Sequence, residues 1–135
     1  MTERNDKKGF FSDAEIIASY SRAQAIEDGV LVDVSQTAQE CGFRHPVAVT
    51  VRVWAEVVQP DEKAGLEGQS ESGRLWDVLW MLRTAIYRAA ESGEVISYKL
   101  LAGDSEGRKE VTLKAVCGPG DEGKPVITIM MPDED

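Results

Sequence analysis

Histidine is almost missing from this 135-residue chain, where His45 is the only one. Cysteine is nearly as scarce, with Cys41 and Cys117 alone. A structural zinc site takes four thiolate or imidazole ligands, and these three residues do not provide them. Two cysteines make no disulfide framework, so the compartment they suggest is a reducing cytoplasm. No apolar run approaches the roughly 18 residues that a membrane crossing needs. Residues 1–8 also lack the apolar stretch of a secretory signal. No phosphate-cradling Gly-x-x-x-x-Gly-Lys-Ser/Thr, no His-Glu-x-x-His and no Gly-x-Ser-x-Gly occurs. The expectation is therefore a protein without catalytic residues, metal or cofactor, and without a membrane partner.

Positive charge is in deficit as well. Fifteen Lys and Arg stand against 24 Asp and Glu, a net charge of −9, which argues against direct nucleic-acid binding by broad phosphate neutralisation. The excess is local. Residues 56–77 carry six acids against two bases, and 121–135 carry five against one. The expected picture is a near-neutral body with solvated acidic appendages. With 42% hydrophobic residues, a chain of this length can bury a real core as one domain.

The elements can be read in order. Ser12 and Glu15 form a capping box, with Phe11 and Ile16 as its staple. An apolar stripe through Ile17, Tyr20 and Ala23 then predicts one helix ending at Gly29. Val30–Val34 reads as a short strand, and Ser35 opens a brief helix that Gly42 stops. Residues 46–58 carry two patterns. Val47, Val49, Val51, Val53 and Val57 alternate as in a strand, whereas Pro46 at a first helical position and the Arg52–Glu56 pair suit a helix. Residues 59–73 have the Gly, Ser and Pro content of a mobile loop. A helix from Arg74 to Ser92 follows, with Leu75, Leu79, Leu82 and Ile86 on one face and Gly93 as its stop. Val95–Leu101, Glu110–Val116 and Pro125–Met131 complete a C-terminal three-stranded meander. The predicted fold class is α+β, a single domain with three to four helices packed on one face of a small, mainly antiparallel sheet. Residues 1–9 are read as a flexible N-terminus, 10–132 as the domain and 133–135 as an acidic tail.

Certain stretches are distinctive: Tyr20-Ser21-Arg22-Ala23-Gln24 through Asp33-Val34-Ser35, His45-Pro46-Val47 with Trp54, and Gly73-Arg74-Leu75-Trp76-Asp77-Val78-Leu79-Trp80. Gly118-Pro119-Gly120-Asp121 and Pro132-Asp133-Glu134-Asp135 join them. Together they resemble an uncharacterised bacterial family, a domain of unknown function met on plasmids, phages and integrated elements. The resemblance covers nearly the whole chain after residue 9. It implies a mobile-element setting, and it tilts 46–58 toward helix, but it brings no catalytic residues.

Candidate sites are few. Cys41 and His45 lie four apart, but Gly42 and Pro46 break any helix that would align them, so they read as a packing residue and a surface residue. Glu27, Asp28 and Asp33 lack the ligand-rich loop of a cation site. Trp76, Trp80, Arg83 and Tyr87 follow one helical stripe. That stripe reads first as part of a wide buried face with Arg83 stacked on an indole, and second as an exposed aromatic–Arg patch for a protein partner. Arg22, Gln24 and Asp28 are weaker candidates for a pocket. Three functions remain in view: a non-catalytic accessory protein of mobile-element type, acting by protein–protein interaction and open to homodimerisation; an acidic anti-defence inhibitor that mimics DNA; and an enzyme with an unrecognised site.

Overall fold

The computed structural model describes residues 20–60, 70–89, 93–104 and 107–134. The capping box at Ser12, the staple at Phe11 and most of the expected loop 59–73 lie outside them. Within them the elements are α1 (Arg22–Glu27), β1 (Leu31–Asp33), α2 (Ser35–Glu40), β2 (Val47–Thr50), α3 (Val51–Val53, continuing as a π-helical turn over Trp54–Val58), α4 (Glu71–Arg88), β3 (Val95–Asp104), β4 (Gly107–Pro119) and β5 (Pro125–Met130). The five strands form one sheet in the order β1-β2-β5-β4-β3. Every neighbouring pair is antiparallel except β2 with β5. The α+β reading holds, and the C-terminal run β3-β4-β5 is the expected meander.

The core lies on one face of this sheet. Val47 and Val49 of β2, Tyr98 and Leu100 of β3, Leu113 and Ala115 of β4, and Ile127 and Ile129 of β5 all point into it, as the two-residue period of a pleated strand requires. α2 covers it with Ala38, α3 with Val53, Val57 and Val58, and α4 with Leu75, Val78, Leu79 and Leu82. α1 stands apart from these three. Its Arg22 donates through Nη1 to Thr128 Oγ1 (2.6 Å) and through Nη2 to the Ile127 carbonyl (2.7 Å), and the pleat turns Thr128 away from Ile127 and Ile129. α1 therefore rests on the opposite face.

Several boundaries differ from the sequence expectation, and β3 and β4 run longer than read, over Val95–Asp104 and Gly107–Pro119. Ser21 is extended (φ −79, ψ 157) and its hydroxyl caps α1 at Gln24 N, so the helix expected to run on through Tyr20 starts afresh at Arg22. Residues 46–58 are neither one helix nor one strand. Val47–Thr50 is a strand, and Thr50 then caps α3 through its hydroxyl at Val53 N (3.2 Å). Finally, α4 begins at Glu71, because Ser70 Oγ accepts from Gly73 N (3.1 Å) and draws residues read as loop into the first turn. α4 also ends early: Arg88 is its last residue and Ala89 is already extended (ψ 126), so the expected run to Ser92 and a stop at Gly93 is not made. The ends of the two short helices held. Gly29 (φ 79) and Gly42 (φ 99) both take the left-handed conformation and close α1 and α2 with paired bonds, Gly42 N to Gln39 O and Phe43 N to Ala38 O in the second.

Three acids of the C-terminal region, Asp121, Asp133 and Glu134, are fastened. Asp121 accepts from the first amides of α1, Arg22 N (2.7 Å) and Ala23 N (3.0 Å). Asp133 receives Arg52 Nη1 at 2.8 Å, and Arg52 also binds Glu56 (2.9 Å). Glu134 Oε2 accepts from Thr50 Oγ1 (2.7 Å) and Met131 N (3.1 Å). The Asp133 and Glu134 bonds clasp the chain end to the β2–α3 junction although Asp133 stays exposed, and the Asp121 bonds tie the β4–β5 turn to α1. They have a pH consequence. Backbone amides hold Asp121, and the Arg52 guanidinium holds Asp133, below the ordinary aspartate value of 3.8. A carboxylate depressed only in the folded state stabilises it above the ordinary value, and that contribution disappears as pH falls through the depressed one. The urea midpoint is thus expected to decline on acidification below the ordinary aspartate value. Asp121→Asn and Asp133→Asn should each flatten that decline, and an unchanged pH profile in both would contradict it.

Candidate functional site

α4 shows two different faces. Leu75, Val78, Leu79 and Leu82 are buried, and Tyr98 Oη donates to the Val78 carbonyl from within the core (3.1 Å). Burial pushes the Tyr98 phenol above its ordinary pKa, so it serves as a neutral donor. The remaining stripe faces outward. Trp76 is 39% exposed, Trp80 44% and Tyr87 75%. The wide buried face expected first is therefore overturned: an apolar arc of three to four residues per two turns satisfies the core, and the indoles fall outside it.

The four stripe residues form one continuous ladder. The Trp76 and Trp80 rings lie nearly parallel, 10° apart in plane with centroids at 6.2 Å. The Arg83 guanidinium carbon is 5.0 Å from the Trp80 ring centre and 5.1 Å from that of Tyr87. The cation is thus held between two ring faces, where their negative quadrupoles attract it. Gly42, just past the C-cap of α2, lies close beside it. A side-chain carbon added at Gly42 would lie 3.2 Å from Arg83 Nε, so the guanidinium would have to give by a few tenths of an ångström to admit one. The sequence marked Gly42 as a helix stop and gave no sign of this close approach.

The other candidates part company. Cys41 is buried, and burial pushes its thiol pKa up, the reverse of what a nucleophile needs. His45 is exposed. Among the described residues no cluster of three or more His, Cys, Asp or Glu is placed to hold a metal ion. Gln24 Nε2 and Tyr20 Oη both donate to Asp28, at 3.0 and 2.8 Å, while Arg22 turns to β5. An open groove of about 540 Å³ lies beside α1, lined by Tyr20, Ser21, Arg22, Leu31 and Asp121 among others. Arg22 and Asp121 are the charged groups there, and both already hold bonds that fix α1 in place. Among the described residues no helix is long and apolar enough to cross a membrane.

No curated protein matches this chain, nor does any solved structure. A family model does match, over residues 7–135. Since that span is nearly the whole sequence, the chain belongs to a family of unknown function, DUF6573.

Proposed function

We propose that this chain is a non-catalytic accessory protein whose α4 ladder of Trp76, Trp80, Arg83 and Tyr87 docks a protein partner. The carrying observation is the Arg83 cation held between Trp80 and Tyr87 at 5.0 and 5.1 Å on a solvent-facing stripe. Trp, Tyr and Arg are the residue types that dominate binding energy at protein interfaces. Here they are also ordered before any partner arrives, which reduces the entropy lost on association. The rigid core face of the same helix fixes the ladder in space. The setting that goes with this reading is bacteria carrying mobile elements, which rests on the sequence resemblance, and their cytoplasm, which rests on the scarcity of cysteine. The DNA-mimic alternative is less well supported, because Asp121, Asp133 and Glu134 accept internal hydrogen bonds and are not arrayed as free charges. Among the described residues no cluster of three or more His, Cys, Asp or Glu favours an enzymatic reading built on a metal.

The test is affinity capture from a bacterium that carries the gene, with the wild-type chain and the Arg83→Lys variant as parallel baits. Lysine keeps the charge but loses the planar stack between the rings. The expected result is a partner retained by the wild type and depleted with Arg83→Lys. Equal recovery by both baits would remove the ladder from the interface.

A further inference from the structure

β3 is an edge strand, with β4 as its one strand neighbour among the described residues. Its backbone polarity can be worked out. Cys117 N donates to the Glu94 carbonyl (2.8 Å), and the register sets Val95 opposite Val116. Glu94 and Cys117 are therefore a hydrogen-bonded pair, and in an antiparallel ladder such pairs recur at every second residue. Ile96, Tyr98 and Leu100 thus turn their backbone groups toward β4. Val95, Ser97, Lys99 and Leu101 turn theirs outward. The side chains of these four share the sheet face away from the core: Val95 is 56% exposed and Leu101 58%. The open edge is apolar at both ends and polar in the middle.

We infer that β3 pairs antiparallel with β3 of a second copy of this chain, about a two-fold axis at Tyr98, to make one continuous sheet. Self-pairing must place odd residues opposite odd residues, since those carry the outward donors and acceptors. With the axis at Tyr98, Val95 lies opposite the partner subunit's Leu101, and Ser97 lies opposite the partner subunit's Lys99. Two-fold symmetry then repeats each pair, so all four exposed side chains meet a suitable neighbour. The adjacent registers fail. An axis at Lys99 sets two ammonium groups face to face, which is unfavourable across strands. An axis at Ser97 sets Val95 against lysine and leaves Leu101 opposite Gly93, before the strand begins. Lys99 also guards the edge against indiscriminate pairing, and its ammonium lies 3.6 Å from Glu110 on its own sheet.

Sedimentation equilibrium of the full chain from micromolar to sub-millimolar concentration tests the inference. The expected result is a monomer–dimer equilibrium that Val95→Lys and Leu101→Glu each weaken by about tenfold or more, each change acting twice by symmetry. Mixing the two variant chains should restore association, because each new charge then lies opposite the other. This rescue also shows that neither variant failed by misfolding. On dimerisation the amides of Val95, Ser97, Lys99 and Leu101 should slow in hydrogen exchange, while those of Ile96, Tyr98 and Leu100 keep their rates. A chain that stays monomeric throughout would overturn the inference. So would a dimer indifferent to both variants, and one dissolved by Trp80→Ala would move the contact to α4.

Discussion

Leu79→Ala is expected to lower the unfolding free energy by about 3–5 kcal/mol, the upper range for truncating a buried leucine. Leu79 is fully buried in the middle of α4, between Val78 and Leu82 of its own helix and the sheet residues beneath. Removing three carbon atoms there forfeits their transfer free energy and leaves a cavity that the strands below cannot collapse to fill. A single domain commonly has only about 5–15 kcal/mol of stability, so the loss is a large share of the total. Urea unfolding followed by tryptophan fluorescence measures it directly. A loss under about 1 kcal/mol would mean that α4 packs on the sheet far more loosely than the zero exposure of Leu79 implies.

Trp80→Ala, one residue along the same helix, is expected to behave in the opposite way. Trp80 is 44% exposed and its ring contacts are Trp76 and Arg83, both on the surface stripe. The stability cost should be only about 1–2 kcal/mol, from partial burial and the lost stack. Affinity for a protein partner should fall by about 30-fold or more, the loss of about 2 kcal/mol typical of a dominant interface residue. Titration calorimetry with the captured partner, beside the urea curve of the same variant, separates the two effects. A variant with intact affinity would sink the docking role, whatever its stability.

The contrast between these neighbours also shows how far residue identity goes. The helical period placed Trp76, Trp80, Arg83 and Tyr87 on one stripe, and the structure puts them there. Period alone does not say whether a second apolar stripe is buried. Leu75, Leu79 and Leu82 already fill the arc facing the sheet, so the aromatic stripe was free to face water. Residues 46–58 teach a related lesson. The alternation of Val47 and Val49 and the Arg52–Glu56 pair were both true signals, each for half of the segment. The hinge between them was also legible in Thr50, a good N-cap residue, but Pro46 drew attention to a helix start five residues too early. Ser70 was masked in the same manner by Gly73, which reads as loop although its amide is the one Ser70 caps. Asp121, Asp133 and Glu134 were read only as charge. Their partners lie 99 residues away at Arg22, 81 at Arg52 and 84 at Thr50, and no local pattern announces contacts at such separations.

The π-helical turn at Trp54–Val58, closed by Gln59 N donating to the carbonyl five residues back (2.7 Å), bears on how this chain tolerates changes of length. Val53, Val57 and Val58 are buried, at intervals of four and five. An α-helix reaches the same two core positions at intervals of three and four. The segment therefore holds one residue more than its core contacts require, and exposed Ala55 is that surplus. Losing it would tighten the turn to an ordinary α-helical one and return both valines to the inward face. In most of the domain a one-residue deletion would shift side chains out of phase with the sheet; at this turn the phase survives.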